Sequence, residues 1–336
     1  MSGINALPEH VRDFPFPLTR DAYRYQANLE PAPGRHQTEA GSWGGTVMNA
    51  GPDYADFIAE RRRVLARNPG MLVTPPHMRA AEWDTLRYVM RRLAAEYPAD
   101  FGLACDGPRM RWVNHRLGLS LELTSGDDGS LPSGPLEYIG RQVVEDLVLL
   151  DRREGHLWAD GGLVTFASGW SFPFVAEMSF PEIHGPVPRG NPDGVFTRAE
   201  AFLLRLQPGE CYRRVNWALQ PGRDLDRSVD SFAQWLPGAA RFAAELGTAA
   251  EPDLGEAVSL RVEVQHVIGL ETTDAVLFLI DTRFLSLADV ARVPAWASRL
   301  AAVLAELPQD IADYKGIAGL RPHVIGWLRQ RLPASA

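Results

Sequence analysis

Residues 258–268 and 275–284 are two runs dominated by Val, Leu, Ile and Phe, separated by a short segment containing Glu271-Thr272-Thr273-Asp274. β-Branched and aliphatic residues at this density favour extended backbone, and a short polar turn between two such runs is the mark of a hairpin. The chain is therefore committed to an antiparallel sheet with a long central hairpin. If that hairpin turns symmetrically about Thr272 and Thr273, Val264 and Asp281 are cross-strand neighbours.

The remaining elements have to cover this sheet. Residues 53–68 read as a helix that Asp53 could cap and Pro69-Gly70 stops. Residues 78–97 form a second helix, with Trp83, Leu86, Val89, Met90 and Leu93 on one stripe. Residues 111–124 read as strand and 136–150 as a helix with Ile139, Val143, Leu147 and Leu150 inward. A turn at Asp160-Gly161-Gly162 leads into a β-like run at 162–168. Then come a helix at 197–206, a strand at 211–219, a helical excursion at 224–247, a helix at 287–307 kinked near Pro294, and a closing helix at 323–332. This order lacks the regular strand–helix alternation of a doubly wound sheet. The expected class is α+β, an antiparallel sheet with helices on one face. Its parts would be an extended N-terminal arm (1–52), a helical lobe (53–108), a core (109–285) and C-terminal helices (286–336).

Charge and cysteine usage narrow the function. A formal charge of −8 and a pI near 5.5 disfavour nucleic acid, which needs a basic surface. Cys105 and Cys211 stand alone, so this chain by itself carries no iron–sulfur cluster or Cys-rich zinc site, and nothing suggests a disulfide scaffold. The start Met1-Ser2-Gly3-Ile4-Asn5 has no signal-peptide pattern, and no apolar run is long enough to span a bilayer. The expectation is a cytoplasmic protein without membrane contact, free to self-associate.

The sequence contains no P-loop, no dinucleotide fingerprint, no H-E-x-x-H and no nucleophile elbow. What remains is a dense central stretch from Ser168-Gly169-Trp170 to Ile183-His184-Gly185-Pro186-Val187-Pro188. Two prolines fix the backbone after His184 and prevent a continuing helix or a central strand. A histidine held at a helix end before a stiff turn has a defined direction, as an axial metal ligand requires. The same placement also suits a helix-end histidine satisfied by a carbonyl or by the helix dipole.

Seven segments in consistent order, spanning about residue 50 to about residue 330, resemble one family. They are Val144-Glu145-Asp146-Leu147-Val148-Leu149-Leu150, Thr165-Phe166-Ala167-Ser168-Gly169-Trp170, Glu182-Ile183-His184-Gly185-Pro186-Val187-Pro188, Arg214-Val215-Asn216-Trp217, Arg261-Val262-Glu263-Val264-Gln265, Ala275-Val276-Leu277-Phe278 and Tyr314-Lys315-Gly316. The family is the haem-dependent oxidative N-demethylases. The resemblance implies a PAS-like antiparallel sheet, haem b ligated by His184, oxidation of a small amine with O2, and electrons from a separate flavin or iron–sulfur reductase. The chain departs from the family pattern at Ala167, where Pro is usual, and at Gly185, where Ala is usual. It departs also at Val264 and Asp281, where arginines are usual. The last pair reads as one remodelled patch, a changed cofactor anchor, partner surface or substrate pocket.

A haem pocket of this kind needs an apolar slot, one ligand and cations for the propionates. Arg214 and Arg261 are the cation candidates, though either could be an ordinary salt-bridging residue. Trp170 and Trp217 would wall the haem or the substrate, or simply pack in the core. Asn216, on the strand face of Arg214, could bond a distal ligand or simply close a turn. Glu145, on the expected helix beside Asp146, could hold an alkylammonium or serve as a capping or scaffold carboxylate, and Glu263, sharing a strand face with Gln265, could line the same cavity. His266 is the rival axial ligand, and Tyr314-Lys315-Gly316 would lock the C-terminal tail. The leading reading is a monooxygenase that demethylates or N-oxygenates an amine. The rival is a non-catalytic haem-based PAS-like sensor or ligand-binding protein, disfavoured because no output module is recognisable.

Overall fold

The structure is a computed structural model that describes residues 7–24, 27–190 and 192–332. The expected hairpin is present. Strands β7 (Val258–Gly269) and β8 (Val276–Ser286) pair antiparallel, with Val264 opposite Asp281. They lie at the centre of a seven-stranded antiparallel sheet. The two-residue strand Glu30–Pro31 comes first, then β6 (Cys211–Pro221), β7, β8, β4 (Asp146–Arg153), β5 (His156–Leu163) and Leu72–Val73.

Helices cover both faces of this sheet, not one as expected. The reason is visible in β7, where only Glu263 keeps partial exposure. A strand buried on both sides has no face to give to water. Alternation along the strands defines the two faces. On one lie Tyr212, Arg214 and Asn216 of β6, Arg261, Glu263, Gln265 and Val267 of β7, and Phe278, Ile280 and Thr282 of β8. There Val267 and Phe278 pack with Phe172, Phe180, Ile183, Leu203 and Leu206, from the segment that follows β5. This segment carries α4 (Phe180–His184) and α5 (Val195–Leu203).

The opposite face carries two cores. Val262, Val264 and Leu285 pack with the arm residues Phe14, Phe16 and Trp43 and with the C-terminal helices α8 (Pro294–Glu306) and α10 (Arg321–Arg329). Phe16 stacks on Trp296 at 4.5 Å. Leu277, Leu279 and Leu147 pack with α1 (Tyr54–Arg67) and α2 (Arg79–Glu96).

Three local expectations are corrected. Residues 136–150 are not one helix: α3 stops at Gly140 (Pro135–Gly140) and β4 begins at Asp146. The run Val143 to Leu150 is apolar except for Glu145 and Asp146, a pattern that a buried strand fits as well as a helix. Tertiary structure decides it. Buried Arg61 gathers the carbonyls of Gly140, Val143, Val144 and Glu145, at 2.8 to 3.2 Å, and pairs with Asp146 Oδ1 at 2.9 Å. Those carbonyls are thus removed from helical bonding. Second, Asp160-Gly161-Gly162 is not a turn but the interior of β5, next to an irregularity opposite Leu149 and Leu150. Gly162 serves close packing: a Cβ there would lie 2.5 Å from the Phe172 ring. Third, residues 111–124 are parts of two strands, β2 (Arg109–Asn114) and β3 (Leu119–Thr124). With β1 (Phe101–Asp106) they form a separate three-stranded sheet, so the stretch 53–108 is not wholly helical. The break near Pro294 separates two helices, α7 (Leu287–Ala291) and α8, with the proline in the first turn of the second.

Candidate functional site

His184 ends α4, a short helix whose start is tied by Glu182 Oε2, which accepts from Ser179 N at 2.8 Å and Ser179 Oγ at 2.6 Å. The His184 ring is half-buried between Phe180 and Phe196, with centroids 4.0 and 4.4 Å away. Gly190 makes room for this nest, because the Phe196 ring occupies the place of its missing side chain. His184 Nδ1 lies 2.8 Å from Phe180 O. A carbonyl can only accept, so Nδ1 carries the hydrogen and Nε2 carries the lone pair. Burial, with the nearby Arg214 cation, pushes the imidazole toward its neutral form, against the Phe180 hydrogen bond. The result is a neutral, oriented imidazole with its ligating nitrogen left over.

Arg214 lies on the sheet face that α4 covers. Its Nε donates to Ala27 O at 2.9 Å and its Nη1 to Gln265 Oε1 at 3.1 Å. Beside it, Glu263 accepts from Gln265 Nε2 at 3.0 Å, Asn216 Nδ2 at 3.4 Å and Arg261 Nε at 3.4 Å. Half-buried Trp170 meets Phe172 edge to face in the same apolar cluster as Phe180 and Ile183. His184, Trp170, Arg214, Asn216, Glu263 and Arg261 thus share one side of the sheet.

Arg261 is there in a different capacity from the one expected. It is 1% exposed, and its guanidinium donates to Leu225 O at 3.0 Å, Thr282 Oγ1 at 3.2 Å, Asp224 O at 3.5 Å and Phe166 O, besides Glu263. Every N–H of the side chain is engaged, so none is left for a cofactor carboxylate.

Glu145 and Trp217 lie on the opposite side of the sheet from His184. Glu145 is not helical. It precedes β4, fully buried, with Oε1 accepting from Asn49 N at 2.6 Å and Oε2 without a partner. Burial and then the neighbouring Asp281 carboxylate push its pKa up to about 8. Asp281 faces the same way, paired with Arg283 at 2.7 Å and accepting from Asn49 Nδ2 at 3.0 Å. The Val264/Asp281 patch therefore points away from His184. So does the rival ligand His266, 2% exposed, with neither ring nitrogen partnered; burial, then Arg213, Arg283 and Arg92, pushes it down to about 3. Trp217 packs toward the C-terminal core beneath Lys315 Nζ, 5.1 Å from its ring.

Sequence reasoning passed over Arg61, one arginine in the run Glu60-Arg61-Arg62-Arg63, where nothing in the local pattern singles out the buried one. It also missed Asn49, in the irregular arm. A group with metal-like spacing, His77, Asp151 and Asp160, lies elsewhere, but Arg153 pairs with both carboxylates and makes it an ion-pair network.

Fold and site together define an α+β protein that presents one imidazole nitrogen from a helix end toward the polar face of an antiparallel sheet. The family model for the haem-dependent oxidative N-demethylase, alpha subunit-like, proteins matches residues 45–325, and the chain belongs to that family. Its donor set fits a haem: a neutral imidazole with Nε2 unengaged, aromatic walls, and the Arg214 cation on the facing sheet. Among the described residues, no helix is long and apolar enough to cross a membrane.

Proposed function

We propose that this chain is a haem b monooxygenase that removes an N-methyl group from an amine with O2, with His184 as the residue that would hold the haem iron. The observation that carries this reading is the oriented lone pair on His184 Nε2, in a chain matched by the family over residues 45–325. Haem b, the non-covalent form, is favoured because the sequence has no C-x-x-C-H attachment motif. A PAS-like core is supported by the strand order: the five strands β6, β7, β8, β4 and β5 lie side by side, with the helical segment inserted between β5 and β6.

When bound, haem supplies the activation of O2. The balance is one amine N–CH3, one O2, two electrons and two protons, giving the demethylated amine, formaldehyde and water. The protein's own groups have distinct tasks. Phe180 O fixes the tautomer of His184 and makes its Nε2 a better donor. Phe180, Phe196 and Trp170 exclude water. Arg214 is the cation placed for a propionate. Glu263, held by Asn216, Gln265 and Arg261, offers an oriented carboxylate to a protonated amine. The electrons come from a separate flavin or iron–sulfur reductase, in line with the alpha-subunit designation and with the missing dinucleotide motif. We place the protein in the cytoplasm, where such a reductase would meet it.

The test is a visible spectrum of protein expressed with a haem precursor, followed by turnover of N-methylamines with a surrogate reductase. A Soret band and formaldehyde in step with amine loss are expected. An oxygenated nitrogen instead of formaldehyde would make the reaction N-oxygenation, and a colourless protein would end the proposal.

A further inference from the structure

The loop after α9 (Gln309–Tyr314) brings a lysine to the Glu263 network. Lys315 Nζ donates to Trp217 O at 2.7 Å and to Asn216 Oδ1 at 3.5 Å, at a stretch of β6 beyond its short pairing with Glu30–Pro31. Helix α9 is itself tied to the segment after His184, through Arg189 Nε and Asp310 Oδ2 at 2.8 Å.

A primary amide has an acceptor end and a donor end of nearly equal shape, so its neighbours decide which way it faces. Gln265 is turned by Arg214, which donates to Oε1 at 3.1 Å and leaves Nε2 for Glu263 Oε2 at 3.0 Å. Asn216 is treated in the same way from the other flank. Lys315 donates to Oδ1, and Nδ2 then faces the same Glu263 Oε2 at 3.4 Å. Two cations thus each hold an amide by its oxygen, and both amides aim their NH2 groups at one carboxylate.

We propose that Lys315 is a positioning residue for substrate charge: by fixing the Asn216 amide it keeps Glu263 as an acceptor held open toward a protonated amine. Glu263 receives donors from Asn216, Gln265 and Arg261. A carboxylate has about four acceptor sites, so one remains for a substrate N–H. An Asn216 amide turned the other way would set its oxygen against Glu263 and push the carboxylate off that direction. This inference rests on the proposed amine oxidation at this face.

The test uses the full-length haem-loaded chain and two probes of similar shape, protonated N-methylbutylamine and uncharged butyl methyl ether, titrated against the haem spectrum. Lys315→Gln can still donate to Trp217 O, but it offers its own oxygen to Asn216 Nδ2 and so reverses the amide. Lys315→Arg has donors only. Lys315→Gln is expected to weaken the amine about tenfold while the ether and the haem content stay as in the wild type, and Lys315→Arg to remain within about twofold. Equal weakening of both probes, or a Lys315→Gln protein that binds the amine like the wild type, would overturn the inference. A wild type without haem would count against the functional reading, and the Soret band, read first, separates the two failures.

Discussion

Replacing Glu145 by Gln turns a buried titration into a measurable stability difference. Glu145 is fully buried, has no cation bonded to its carboxyl, and sits beside Asp281. Burial first and Asp281 second raise its pKa from 4.5 to about 8 in the folded chain. The folded state therefore holds this proton more tightly than the unfolded state. Stability from this group is fully present below pH 4.5 and is lost as pH rises to about 8. At about 1.4 kcal/mol per pH unit, the penalty at alkaline pH is on the order of 3–5 kcal/mol. Gln keeps the shape of the protonated acid and still accepts from Asn49 N. The variant should match the wild type near pH 4.5 and exceed it above pH 8. Unfolding entropy of about 2.1 cal/mol/K per residue, over 336 residues, converts this to a gap of roughly 4–7 °C in melting temperature. The assay is thermal or urea unfolding of both proteins across that range. His266, His184 and Lys315 titrate in both proteins, so the difference isolates Glu145. Parallel stability curves would refute the reasoning, because a carboxyl with an ordinary pKa contributes no such divergence.

Glu145→Gln should also leave haem content and amine affinity unchanged, because its side chain lies across the sheet from His184; a lost Soret band would show otherwise. His184→Ala should release haem, while His266→Ala should retain it, read by the ratio of Soret to protein absorbance. Arg61→Met should destabilise the fold by about 3–5 kcal/mol, since Asp146 would stay buried without its partner; urea unfolding measures this. Asp281→Asn should weaken the fold through Arg283 and leave the amine titration unmoved, and an altered dissociation constant would place Asp281 within reach of the substrate.

The sequence by itself determined the elements whose residues carry their own signal. The β7–β8 hairpin and its register follow from two β-rich runs around a short polar turn, and the Val264–Asp281 pairing follows from symmetry about Thr272 and Thr273. Helices α1 and α2 follow from apolar stripes. The helix end at His184, before its proline-rich turn, was equally legible. What only the tertiary structure decided is the side of the sheet on which each polar residue falls, and what it meets there. Glu263 and Val264 are consecutive in the strand, yet alternation sends them to opposite faces, and local sequence does not say which face a ligand would share. Residues 143–150 are apolar enough for helix or strand, and the choice came from Arg61, more than eighty positions away for its Asp146 bond. Arg261 looks like an anchor for an anion, but it is consumed by backbone carbonyls from Phe166 and Leu225. Buried polar groups must be satisfied by whatever the fold brings to them, so their partners, unlike their helices and strands, are fixed at long range.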